Sequence, residues 1–105
     1  MGSEVYFDNN ATTRLLPQVF EAMAPFLTEF YGNPSSIHRF GNQVAQKIAE
    51  ARAQVAALIG AADPIEIIFT SCGTEGDNAA VRGLLEARPG RRHIVTTQVE
   101  HPAIL

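Results

Sequence analysis

The stretch from Ile65 to Thr97 reads as apolar run, helix, apolar run, and that order narrows the fold more than any other feature of the chain. Ile65 to Thr70 is short, rich in β-branched residues and bounded by Asp63-Pro64 and Ser71-Cys72-Gly73, which predicts a strand. A helix is expected from about Thr74 to Ala87, with Ala79, Ala80, Val81, Leu84 and Leu85 apolar and Pro89-Gly90 as its stop. His93 to Thr97 then reads as a second strand. Strand, helix, strand predicts an α/β fold with parallel strands. Ligands of such sheets gather beyond the carboxyl ends of the strands, so the loops at Ser71 to Thr74 and Gln98 to His101 become the places to look for chemistry.

Upstream the pattern is helical. Glu4 to Phe7 reads as an extended arm ending in the turn-rich Asp8-Asn9-Asn10. Pro17 opens a helix expected to reach about Phe30, with Val19, Phe20, Met23, Phe26 and Leu27 on one face. Tyr31 to Ser36 breaks the pattern. A longer helix is predicted from about Gly41 to Ile59, striped by Val44, Ile48, Val55, Leu58 and Ile59 and closed by Gly60. Pro102 is expected to open a further helix.

The totals exclude several classes. A length of 105 residues suits one domain, and 46% hydrophobic with 18% charged residues is ordinary for a globular chain. The net charge is −3 and the basic residues are scattered, which argues against nucleic acid and anionic membranes as partners. Glu4 and Asp8 stand where a signal peptide would carry positive charge, and no apolar run approaches the ~20 residues of a membrane span, so a cytoplasmic location is expected. Cys72 is the one cysteine, which leaves no internal disulfide. It reads as a small buried residue rather than a nucleophile. His38 and His93 lack ligand-spaced partners, so no metal site is expected.

The loop Ser71-Cys72-Gly73-Thr74 admits two readings. A helix N-terminus offers free N–H groups and the positive end of the helix dipole, and glycine lets a ligand approach the backbone, so this loop can cup a phosphate. Alternatively Thr74-Glu75-Gly76-Asp77 is a capping box that satisfies the same donors internally. Neither a G-x-x-x-x-G-K-[ST] nor a G-x-G-x-x-G pattern is present, which weakens nucleotide binding. His101, at the end of the second apolar run, can stack on a flat cofactor and shuttle a proton, or serve as a capping or surface imidazole.

Four segments taken together resemble a known family. Asp8-Asn9-Asn10-Ala11-Thr12-Thr13, Gly32-Asn33-Pro34-Ser35-Ser36 with His38, Thr70-Ser71-Cys72-Gly73-Thr74-Glu75 with Asp77-Asn78, and Val99-Glu100-His101-Pro102-Ala103 look like the opening third of a cysteine desulfurase of the class-V aminotransferase family. The resemblance is closer to the NifS and IscS group than to the SufS group. It implies the N-terminal part of a pyridoxal 5'-phosphate (PLP) dependent transferase of the aspartate-aminotransferase fold, fold type I, with a mostly parallel sheet flanked by helices. Residues 1–15 would form the arm, 16–62 a helical segment, and 63–105 the start of the PLP-binding large domain.

The resemblance also implies a homodimer that removes sulfur from L-cysteine, giving L-alanine and an enzyme persulfide passed to an iron–sulfur scaffold protein, nitrogen fixation being one setting. Carried over by position, Gly73 and Thr74 bind the cofactor phosphate, which favours the anion reading of their loop. His101 stacks on the pyridine ring and moves protons. Asn10 and Ala11 lie near the substrate. The family places its Schiff-base lysine, the acid that pairs with the pyridine nitrogen and its catalytic cysteine beyond position 105, so these residues are expected to be a fragment inactive alone, with unpaired sheet edges and apolar faces exposed. Lys47 reads as a solvated lysine in mid-helix. Other fold-type-I PLP enzymes, such as an aminotransferase or a selenocysteine lyase, and a non-catalytic binding domain are the alternatives.

Overall fold

The computed structural model describes residues 4–104, which fall into two compact units divided after Gly60. In the first unit Glu4 to Phe7 is an irregular arm ending in a turn at Asp8, whose carbonyl accepts from the Ala11 N–H at 3.1 Å. The Tyr6 hydroxyl donates to that same carbonyl at 2.8 Å and lies 2.8 Å from the Thr12 hydroxyl, so one phenol ties both ends of the turn.

Helix α1 spans Pro17–Met23 and α2 spans Pro25–Thr28. One helix was expected here and two short ones form. Pro25 has no N–H to donate and its ring crowds the preceding turn, so the ladder is interrupted although Ala24 keeps helical angles. The apolar face stays open: Phe20 is 58% and Leu27 75% exposed.

Helix α3, Arg39–Ile59, begins two residues before the expected start and ends where expected. His38 is its N-cap, with Nδ1 accepting from the Gly41 N–H at 3.4 Å. Gly60 closes it in the left-handed region at φ 72°, a conformation that suits glycine. The loop before α3 is built by backbone contact. Asn33 folds an Asx turn by accepting from the Ser35 N–H at 2.9 Å, and its carbonyl accepts from the Ser36 N–H. A Cβ on Gly41 would stand 2.3 Å from the Ser36 carbonyl oxygen and 2.5 Å from that of Asn33; one on Gly32 would meet the Phe40 carbonyl at 2.5 Å. These two glycines let the loop lie flat on the start of the helix.

In the second unit Asp63 caps a 3₁₀ turn at Pro64–Glu66 by accepting from the Ile65 N–H at 2.9 Å. Ile67 is extended and residues 68–70 continue without regular structure. Helix α4 runs over Gly73–Ala87, one residue longer than expected. Residues 91–97 are irregular, and Pro102 to Ile104 form a turn rather than a helix.

The two expected strands are therefore not formed among the described residues. Ile65 is held in the 3₁₀ turn by the Asp63 cap, and an extended segment becomes a strand only when a neighbouring segment pairs with its backbone. Neither stretch enters such a ladder among the described residues.

Val44, Ala56 and Ile67 are the buried hydrophobic residues among those described, while Ile37, Val95 and Val99 are each at least 90% exposed. The expected exposure of apolar faces is observed. No helix among the described residues is long and apolar enough to cross a membrane.

Gly41→Ala tests the packing of the first unit. A Cβ in contact with two backbone oxygens cannot be relieved by a rotamer change, so the helical preference of alanine is outweighed and a cost of about 1–3 kcal/mol is expected. Urea unfolding of the full-length protein, compared with wild type, measures it.

Candidate functional site

The candidate site segment is the entry to α4. Its N-cap is Cys72, an extended residue whose side chain makes no cap hydrogen bond. Gly73, Thr74 and Glu75 are then the first three helical residues, whose N–H groups have no acceptor within the helix. Gly76 is the first to close back, onto the Cys72 carbonyl at 3.1 Å. The expected capping box is not the one that forms, because Thr74 lies inside the first turn and Asp77 is too far along it. Glu75 instead reaches back to Ser71, accepting from its N–H and its hydroxyl, each at 2.6 Å. Those two bonds hold the Glu75 carboxyl below its usual pKa, the hydroxyl contributing most.

Cys72 is exposed, not buried as its residue type suggested. Its thiol pKa is lowered, first by the Glu75 N–H, then by the Ser71 hydroxyl 3.8 Å away, with the Thr74 N–H adding to them and the Glu75 carboxylate opposing. These donors favour the thiolate although the Cys72 side chain makes no cap hydrogen bond. The sulfur is thus drawn towards the first-turn amides of α4. A Cβ on Gly73 would meet nothing within 4 Å, so the backbone there is open to a ligand. Phosphate fits this arrangement: the Cys72 side chain makes no cap bond, the Glu75 carboxylate is engaged by Ser71, and Thr74 adds a hydroxyl.

His101 shapes its own turn. Its Nδ1 accepts from the Ala103 N–H at 3.1 Å and its carbonyl accepts from the Ile104 N–H at 2.8 Å. With Nδ1 an acceptor, the neutral ring carries its proton on Nε2. The imidazole is a local cap, one of the two roles open to it in the sequence, and this leaves Nε2 for other chemistry.

The segment at α4 and the His101 turn are joined by Asn78. Its amide nitrogen donates to the Thr74 carbonyl at 2.9 Å and to the Ala103 carbonyl at 3.2 Å. Sequence reasoning placed Asn78 in the motif without a role. The available signal was its position four residues after Thr74, on the same side of the helix.

Asn10 and Ala11 belong to the Asp8 turn of the first unit, where the Ala11 N–H closes the turn. Lys47 is in mid-α3 and pairs with Glu50 at 2.9 Å, both side chains exposed.

Comparison with known proteins gives this geometry a context. The model of the family described as aminotransferase class-V matches residues 5–105. A cysteine desulfurase of Trichormus azollae is 63% identical over 103 residues, covering 98% of this chain and 26% of the relative. The cysteine desulfurase NifS of Azotobacter vinelandii is 53% identical over the same length and coverage. A solved structure titled NifS-like protein superposes with a TM-score of 0.84 at 44% identity, covering 97% of this chain and 28% of that one. The chain thus spans about a quarter of the length of the curated relatives it matches. With a family match over residues 5–105 and a fold shared with part of a NifS-like protein, the chain belongs to the class-V aminotransferase family.

Proposed function

We propose that these residues supply the phosphate loop and the ring-facing histidine of a PLP-dependent cysteine desulfurase of fold type I. The observation that carries the reading is the uncapped start of α4 at Cys72-Gly73-Thr74, tied through Asn78 to the turn that holds His101. The names of relatives 53–63% identical to the chain support the same activity. In the full-length protein the apolar runs at 65–70 and 93–97 would be strands of a mostly parallel sheet in the large domain.

Gly73 and Thr74 would hold the cofactor phosphate through backbone N–H groups and the Thr74 hydroxyl, at the positive end of α4. His101 would stack on the pyridine ring, with Nδ1 held by the Ala103 N–H and Nε2 the atom at which a proton is held or moved. Asn10 and Ala11 border the substrate. When bound, PLP supplies the electron sink that weakens bonds in the amino-acid substrate. The reaction is L-cysteine to L-alanine, with the sulfur left as an enzyme persulfide for an iron–sulfur scaffold protein. The enzyme acts as a cytoplasmic homodimer. Neither Lys47, paired with Glu50, nor Cys72, inside the phosphate loop, is assigned the role of cofactor-carrying lysine or sulfur nucleophile.

The full-length protein, loaded with PLP and given L-cysteine and a reductant, is expected to release sulfide and alanine in equal amounts. Absence of both, or turnover confined to other amino acids, overturns the assignment.

Gly73→Ala separates folding from binding. Gly73 has no positive φ and open space at its Cβ, so the apoprotein is expected to keep or slightly raise its Tm. The same Cβ obstructs approach to amides that meet a charged phosphate, so the PLP dissociation constant should rise about 10-fold or more. Titration of the visible cofactor band measures it.

Cys72 reports on the same site. With its pKa lowered, the thiolate forms at lower pH than in an ordinary cysteine, so iodoacetamide should label Cys72 at neutral pH faster than it labels a free thiol of normal pKa. PLP should slow that labelling, as read by mass spectrometry of the Cys72 peptide.

A further inference from the structure

The Asn78 amide spans twenty-five residues of sequence to reach Ala103 while also holding Thr74 in its own helix. An amide nitrogen carries two hydrogens, so both are used. Both partners are carbonyl oxygens, which can only accept, and this fixes which way round the amide sits. Thr74 is the second residue of α4, and Ala103 is the residue whose N–H is taken by His101 Nδ1. Ala103 is therefore gripped from both sides of its backbone, its N–H by the imidazole and its carbonyl by Asn78.

We infer that Asn78 is a positioning residue for cofactor binding: it sets where the His101 ring stands relative to the amides of Gly73 and Thr74. The inference rests on the function proposed above. The hydrogen bonds that Thr97 makes with Val99 and Glu100, and those within the His101 turn, are local to the 97–104 segment and do not reach α4. Removing the Asn78 donor leaves that segment without this tie to the helix. Aspartate in its place would turn a carboxylate oxygen towards two carbonyl oxygens. Serine, too short to span both acceptors, offers one donor.

The test uses the full-length protein with PLP. Asn78→Ala and Asn78→Asp are expected to weaken PLP binding by about 5-fold or more, since each ordinary hydrogen bond lost corresponds to about a 2- to 10-fold effect. They should also alter the visible circular dichroism of the bound cofactor, which reports how the ring is seated. In a His101→Ala background, Asn78→Ala should change that dichroism much less, because the two residues act through one imidazole. Unchanged affinity and dichroism in Asn78→Ala, or an equal effect with and without His101, overturns the inference. If Asn78→Asp does not fold, the comparison of Asn78→Ala with and without His101 decides the matter by itself. Wild-type protein that gains no cofactor band would instead remove the functional reading, and this inference with it.

Discussion

Local hydrogen bonding, rather than burial, holds the described residues in place. A fully buried large apolar side chain contributes about 1.5–3 kcal/mol, and most such side chains here remain in solvent. What fixes the chain is a set of short closures: Tyr6 across the Asp8 turn, Asn33 and His38 before α3, Asp63 on the 3₁₀ turn, Glu75 on Ser71, and His101 on Ala103. Each satisfies a backbone donor or acceptor that a helix end or turn would otherwise leave open. The places that function is assigned to are the same places, because helix ends and turns are where backbone polar groups are available to a ligand.

The start of α4 shows how the sequence keeps such groups available. A serine, threonine or aspartate at position 72 would accept from the second or third amide of the helix and close the site. Cysteine is a weak acceptor, and its side chain makes no cap bond. The first-turn acid is also diverted: Glu75 is held by two donors of Ser71, which precedes the cap. Both features leave the amides at the start of α4 without an oxygen cap from residue 72 or from Glu75, which is why an anion fits better than an ordinary capping box.

The sequence was informative where structure is local. Gly60 ends α3 because a left-handed residue is needed there, and Pro89-Gly90 follows the end of α4. Pro25 was equally visible, yet the apolar spacing from Val19 to Leu27 continued across it and hid the break. The strands expected at 65–70 and 93–97 do not form among the described residues, because an apolar, β-branched run becomes a strand only with a partner remote in sequence, which local pattern does not reveal. Of the site, Gly73 and Thr74 were legible as loop chemistry, whereas the role of Asn78 was not, because its Ala103 partner lies twenty-five residues away.

Two independent constraints bear on the same pair of loops. A parallel sheet containing the runs at 65–70 and 93–97 would place their carboxyl ends, and hence the Ser71 and Gln98 loops, along one edge. That constraint comes from topology and needs strands that are not paired among the described residues. The Asn78 bridge joins α4 to the His101 turn through two hydrogen bonds and needs no sheet. A side-chain contact that already brings together what sheet topology would align would reduce the conformational freedom the loops lose on binding the proposed cofactor, so part of the ordering cost would be met by the fold. Such preorganisation is the advantage of placing the tie on a helix rather than on either loop, since the α4 backbone holds Asn78 fixed relative to Gly73 and Thr74.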